Sequence, residues 1–183
     1  ENKKVFQARF PAQFVAEYIA QTRAWFYVMH VVSLILFGKA PFENVVTTGT
    51  ILAEDGSKMS KSKENYPDPW RVIEKYGADS LRFYLMNSVV MQADNLNFSE
   101  KGVESAYRKV GLLLLNVANY FATYQSMESS EAQTSDAQKL LDEWIMAHTN
   151  ELVKNVGEYL DVYDTVRATR VIQEYVDNLS TWY

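Results

Sequence analysis

Apolar residues change their spacing along this chain, and the change marks its organisation. In Phe10–Ala20 the residues Phe14, Val15, Tyr18 and Ile19 cluster around Glu17, with Pro11 at the start. This predicts a short buried strand near 12–16. Residues 22–37 are apolar almost all round, which predicts a helix buried on several faces. Thr22 is the candidate N-cap and Gly38 the C-cap. After Pro41, the run Asn44–Leu52 is rich in β-branched residues, so a second strand is expected. Strand, helix, strand is the pattern of a parallel sheet.

Ala53–Tyr66 has no periodicity. It carries the turn pair Asp55-Gly56 and alternating Lys and Ser, and reads as a loop. Asp68 followed by Pro69 opens a helix that Gly77 ends, and Ala78–Ser88 continues as another. Residues 90–98 are turn-like, with room for a short strand. From Ser99 the spacing becomes three and four: Val103, Ala106, Val110, Leu113, Leu114, Val117 and Phe121 predict one long amphipathic helix capped by Ser99. A polar linker, Ser126–Ser135, follows. Ser135 and Gln138 form a capping box for a helix with apolar residues Leu140, Leu141, Trp144, Ile145, Ala147, Leu152, Val156 and Leu160. A last helix covers roughly 161–182.

The expected fold class is α/β plus all-α. Residues 1–66 form a parallel α/β part with the loop, 67–98 a connecting unit, and 99–183 antiparallel helices. An incomplete sheet leaves an open edge, so residues 1–66 are expected to self-associate or to be partly disordered.

Composition narrows the function. The chain has 183 residues, 48% apolar and 22% charged, with a formal net charge of −5, which is globular and excludes a generally basic nucleic-acid coat. There is no Cys, hence no disulfide, thiolate zinc site or Cys nucleophile. His30 and His148 lack metal-ligand spacing, so no metal site is expected. The longest apolar stretch, Ala24–Phe37, is 14 residues long. A bilayer span needs about 20. No membrane partner and a cytoplasmic location are expected. The chain begins with Glu1 rather than Met and ends on Trp182-Tyr183, so a piece of a longer protein is expected. Charge is uneven. Acids dominate 126–151, whereas Lys58, Lys61 and Lys63 make the loop positive.

The loop carries the chemistry. Lysines can meet phosphate as point charges, and Ser hydroxyls and backbone N–H groups add donors. Open α/β sheets bind ligands at this edge. The plain alternative is a solvated loop. The order Lys58-Met59-Ser60-Lys61-Ser62 is the KMSKS signature, and on it the chain resembles the class I aminoacyl-tRNA synthetases. Phe10-Pro11-Ala12, Gln21-Thr22-Arg23-Ala24-Trp25-Phe26-Tyr27, Ala53-Glu54-Asp55-Gly56, Asn65-Tyr66-Pro67-Asp68-Pro69, Lys75-Tyr76-Gly77-Ala78-Asp79 and Asn178-Leu179-Ser180-Thr181-Trp182-Tyr183 resemble the isoleucyl branch.

The resemblance implies the C-terminal part of a Rossmann-type catalytic domain, a stem-contact unit, and the start of an anticodon-binding bundle. It implies activation of isoleucine with ATP and its associated Mg²⁺, then transfer to tRNA-Ile. Lys61, with Lys58 as partner, would stabilise charge on the departing pyrophosphate, and Lys58–Ser62 as a whole would bind ATP. Removing one such group costs about 3–4 kcal/mol of transition-state stabilisation. Glu17 and Gln21 would contact the aminoacyl-adenylate, and Trp25 would line the amino-acid pocket or simply pack in the core. Tyr18 and Ala20 depart from the family pattern at the ribose contact, and Ala24 replaces the usual Gly. The family's His-x-Gly-His motif is missing, so the upstream half of the catalytic domain is an expected partner and these residues alone are expected to be inactive. Arg167 and Arg170 share a helix face with Glu174, and Arg108 and Lys109 add charge on the earlier helix. The arginines would meet tRNA phosphate or lie on a solvated face. The rivals are a valyl or leucyl sister enzyme, a nucleotidyltransferase of the same superfamily, and a synthetase-derived binding module.

Overall fold

A computed structural model describes residues 2–60, 62, 64–125 and 135–183. They divide into two compact units, Glu1–Lys58 with Val89–Asn97, and Met59–Ser88 with Phe98–Tyr183. The division falls inside the lysine run rather than after Tyr66, and residues 67–98 are shared between both units.

The first unit is built on two parallel strands. β1 (Ala12–Tyr18) pairs with β2 (Phe42–Thr48) from Ala12↔Phe42 to Tyr18↔Thr48. A 3₁₀ turn (Ile19–Arg23) and a helix connect them. A short helix at the start, α1 (Lys3–Arg9), was not foreshadowed by its polar sequence. Aromatic contacts hold it: the Phe6 ring lies 4.8 Å from Phe10, and both lie 5.0 Å from Phe37.

The connecting helix, α2 (Trp25–Phe37), ends as expected. Gly38 takes φ +64°, in the left-handed region, and its N–H donates to Leu34. The start needs correction. Thr22 lies inside the 3₁₀ turn and donates to the Ile19 carbonyl, while the Gln21 Oε1 accepts the Trp25 N–H at 3.1 Å. The burial needs correction too. Only Phe26 and Ser33 of α2 are buried, and Ile35 is 76% exposed. Phe26 packs on Phe42 of β2, but two strands cover only one side of a helix that is apolar on all sides. Ile19–Phe37 is long and apolar enough to cross a membrane by length and composition. The α-helical part has 13 residues and rises about 20 Å, against about 30 Å of bilayer hydrocarbon.

The expected strand 44–52 is interrupted. β3 (Ile51–Leu52) pairs in parallel with β4 (Leu96–Asn97), in a sheet separate from β1–β2. Gly49 is the reason. Its N–H donates to the Val90 carbonyl at 2.7 Å, and a Cβ there would stand 1.7 Å from the Asp94 carbonyl oxygen. Only glycine lets that backbone approach.

The described residues of the second unit are helices and their connections. α3 (Pro69–Tyr76) starts where Asp68 accepts the Trp70 N–H, with Pro69 at the first helical position. Gly77, at φ +84°, ends it, and α4 (Ala78–Met86) follows. α5 (Glu100–Ala106) begins after Ser99, but the Ser99 side chain makes no cap. Its backbone N–H instead donates to the Tyr84 hydroxyl. The expected single long helix passes through a π-helical turn (Tyr107–Leu112) before α6 (Leu113–Tyr124). Val103 is fully buried against Val72 and Tyr76, with Leu81, Tyr84, Phe98 and Tyr107 around them.

The linker at 126–134 lies outside the described residues. α7 (Asp136–Asp161) opens with Ser135 accepting the Gln138 N–H. Of its expected apolar set Ile145 is buried, whereas Leu140, Leu141 and Leu160 are exposed. The chain reverses at Tyr163, φ +61°, so α8 (Thr165–Thr181) starts later than expected, capped by Asp164. Thr149 meets Tyr175, His148 meets Asn178 and Asp142 meets Tyr183. As the position along α7 falls the partner number rises, so α7 and α8 run antiparallel. Val166, Ala168, Thr169 and Val176 form the buried face of α8.

Candidate functional site

The lysine run sits in a loop defined by small local bonds. On its N-terminal side, after β3, the Ala53 N–H donates to the Ser57 carbonyl and the Gly56 N–H to Ala53. Gly56 takes φ +79°, and the Asp55 carboxylate accepts the Ser57 N–H at 2.9 Å. This turn pins the chain just before Lys58, whose side chain is exposed. Met59 and Ser60 are half-buried and Ser62 is exposed. The Ser60 N–H donates to Asn65 Oδ1 at 2.8 Å, and the Ser60 and Ser62 hydroxyls are 2.8 Å apart. Lys61 and Lys63 lie outside the described residues. On the C-terminal side, the Asp68 cap anchors the start of α3.

In the first unit, Glu17 lies near the end of β1, Gln21 in the 3₁₀ turn that follows and Trp25 at the start of α2. Glu17 stands opposite Thr47, and Tyr18 opposite Thr48, at the ends of β1 and β2. Gln21 and Trp25 are joined directly, because the Gln21 side-chain Oε1 accepts the Trp25 N–H at the start of α2. That bond uses the Gln21 amide oxygen, not its NH2 group. The Trp25 ring is 44% exposed and 5.4 Å from Phe26, so it is not enclosed in the core of this unit. The edge of a parallel sheet, a helix start and an open aromatic suit a flat or apolar ligand group with polar atoms beside it.

The arginines on α8 differ from each other. Arg167 is engaged at home: its Nε lies 3.2 Å from the Asp164 carboxylate and its guanidinium 5.8 Å from the Tyr159 ring. Arg170 is exposed, as is Glu174. Arg108 pairs with Glu104 at 2.6 Å.

Three features were not legible in the sequence. Asn65 binds Ser60, a link set by how the loop folds back, for which the only signal was an Asn in a polar loop. A second is the ion pair of Lys75 with Glu100 at 2.7 Å, joined by the Tyr76 hydroxyl at 3.1 Å. These two donors hold the Glu100 carboxyl below its ordinary range, and the same contacts raise Lys75. The pair borders a cavity of about 420 Å³ beside Arg71. The third is a groove of about 760 Å³ lined by Tyr120, Phe121, Tyr124, Trp182 and Tyr183. Helical spacing had marked Phe121 only as a packing residue. The Tyr183 hydroxyl donates to Asp142, which pushes its titration above the usual value.

Along the chain the lysine run follows β3 and precedes the capped start of α3. Residues 1–97 match the family model of class I tRNA synthetases for isoleucine, leucine, methionine and valine, and the chain belongs to that family. Within it, similarity runs to the isoleucine enzymes. The chain is 41% identical to the isoleucine–tRNA ligase of Chlamydia caviae over all of its own length and 18% of that protein. It is 41% identical to the cytoplasmic isoleucine–tRNA ligase of Caenorhabditis elegans over all of its length and 17% of that protein. It thus spans less than a fifth of these relatives. Among solved structures, a leucyl-tRNA synthetase of Agrobacterium radiobacter K84, in a ternary complex with tRNA and LeuAMS, superposes with a TM-score of 0.67. That match covers 92% of this chain and 23% of the other at 19% identity, which is a likeness of fold.

Proposed function

We propose that these residues are the lysine-loop region of an isoleucine–tRNA ligase and the start of its tRNA-binding helices. The observation that carries this reading is the run Lys58–Ser62, placed after β3 and before the capped start of α3, in a chain 41% identical to isoleucine–tRNA ligases throughout.

The reaction joins the isoleucine carboxylate to the α-phosphate of ATP. The bond to the β-phosphate breaks, and pyrophosphate leaves with Mg²⁺ that arrives on the triphosphate. Negative charge grows on the departing oxygens. Lys61, with Lys58, supplies fixed positive charge where it grows, and the Ser60 and Ser62 hydroxyls add donors. The Gln21 amide and Glu17 hold the adenylate at the strand edge, and Trp25 closes over the isoleucine side chain. The ester to the 3′ end of tRNA-Ile follows, with Arg170 meeting tRNA phosphate on the helical side. Activity belongs to a longer cytoplasmic protein, whose remaining catalytic residues cover the apolar sides of α2. The exposure of Tyr27, Ile35 and Leu36 supports that cover.

The test is ATP–pyrophosphate exchange on the complete gene product, run with each of the twenty amino acids and with Lys61→Ala. Exchange driven by isoleucine and lowered about 10²–10³-fold in the variant supports the reading. Exchange driven by valine, leucine or methionine moves the assignment to a sister enzyme. A folded protein that exchanges with none overturns it.

A further inference from the structure

We infer that Thr165 is a positioning residue for tRNA binding, acting through the placement of α8 on α4. The inference rests on the ligase reading and deepens it. Thr165 opens α8 and Met86 ends α4, and both belong to the second unit. The Thr165 Oγ1 donates to the Met86 carbonyl at 3.1 Å, across 79 residues of sequence. Among the described residues it is the one side-chain hydrogen bond that joins α8 to any of α3, α4, α5 or α6.

The other contacts of α8 do not fix its register on α4. The helix packs on α4, α6, α7 and the π-helical turn, and buries Val166, Ala168, Thr169 and Val176. Apolar burial attracts without setting a direction. Thr169 spends its hydroxyl inside α8, on the Thr165 and Val166 carbonyls. Asp164 caps α8 and holds Arg167. The Asn87 Oδ1, next after Met86, is buried with no partner among the described residues, so the end of α4 has no spare donor beside it. The Thr165 hydroxyl is therefore the directional link. Arg170 is exposed on the same helix, about 7 Å further along its axis at about 1.5 Å per residue. A slip of α8 on α4 carries Arg170 with it. A chain that spends part of its time in slipped registers binds tRNA more weakly in proportion to the fraction still in place.

The test uses the complete gene product with Thr165→Val, which keeps the shape and loses the hydroxyl, and Thr165→Ser, which keeps the hydroxyl. Three quantities are read: isoleucine-dependent ATP–pyrophosphate exchange, the Kd for tRNA-Ile by filter binding, and the melting temperature. Thr165→Val is expected to raise the Kd for tRNA about threefold to tenfold, up to the whole worth of one neutral hydrogen bond. Its exchange rate stays at the wild-type value, because exchange needs no tRNA. Thr165→Ser restores the wild-type Kd. A Thr165→Val protein with a lower melting temperature and an unchanged Kd overturns the inference, since the bond then only stabilises. Exchange lowered as much as tRNA binding, or a Thr165→Ser protein that binds as weakly as Thr165→Val, overturns it too. Wild-type protein that exchanges with no amino acid overturns the ligase reading, and this inference with it.

Discussion

Truncating Val103 to alanine tests the packing that holds the start of the helical unit. Val103 is fully buried in α5 and faces Val72 and Tyr76 from α3, with Leu81 and Tyr84 from α4 close by. The substitution removes two methyl groups, worth about 1.6 kcal/mol at roughly 0.8 kcal/mol each. The neighbours include tyrosine rings that cannot collapse fully into the gap, so a cavity term brings the loss to about 2–3 kcal/mol. Val153 on α7 is 69% exposed and serves as the control. Val153→Ala should change stability by less than about 0.5 kcal/mol. Urea unfolding followed by circular dichroism reads both. With a slope of about 2 kcal/mol per molar urea, the Val103→Ala midpoint should fall by about 1–1.5 M with the slope unchanged. Equal midpoints for the two variants would refute the reasoning, because Val103 would then have no enclosed site to vacate.

Other outcomes follow from single contacts. Gly49→Ala drives a methyl into the Asp94 carbonyl, and should abolish the cooperative unfolding of the first unit while the second still melts, read by hydrogen exchange. Glu100→Gln tests a depressed carboxyl: the stabilisation is present above the ordinary value of 4.5 and is lost as pH falls through the lower folded value. The difference in urea midpoint between wild type and this variant should therefore be present at pH 7 and vanish in stronger acid. Lys75 is raised, so its share is complete below 10.5 and persists through neutral pH. Arg167→Ala should lower stability through the lost Asp164 contact, whereas Arg170→Ala should weaken tRNA binding and reduce its salt slope by about 1 in filter binding.

What could be read in the sequence was chemistry completed within a few residues. Gly38, Gly77, Asp68 with Pro69, and Ser135 with Gln138 each finish their bonds inside one turn, and each stands where its residue type implied. What could not be read depends on distant partners. Gly49 looked like part of a strand because its neighbours are β-branched, yet the backbone at Val90 and Asp94 decides its geometry. α1 exists because Phe6 finds Phe10 and Phe37. Gln21 displaces Thr22 as the cap because the chain passes through a 3₁₀ turn first, shifting the helix start to Trp25. The same division holds at the site. The order of Lys and Ser was visible, but the Ser60–Asn65 bond was not, since a loop has no periodicity to announce which residues meet.

The described residues in and beside the lysine run take backbone bonds from residues outside it. The Asp55–Gly56 turn fixes the chain before Lys58, Asn65 fixes Ser60, and Asp68 fixes the first turn of α3. Each is a short polar side chain or a glycine satisfying backbone groups, and none brings net positive charge. Lysines have flexible stems and strongly hydrated heads, which makes them poor at fixing their own position. On the proposed ligase reading, substitutions at Asp55, Asn65 and Asp68 in the complete gene product should change the exchange rate with the lysine charges intact, whereas substitutions at the lysines remove the charge and leave these backbone bonds in place.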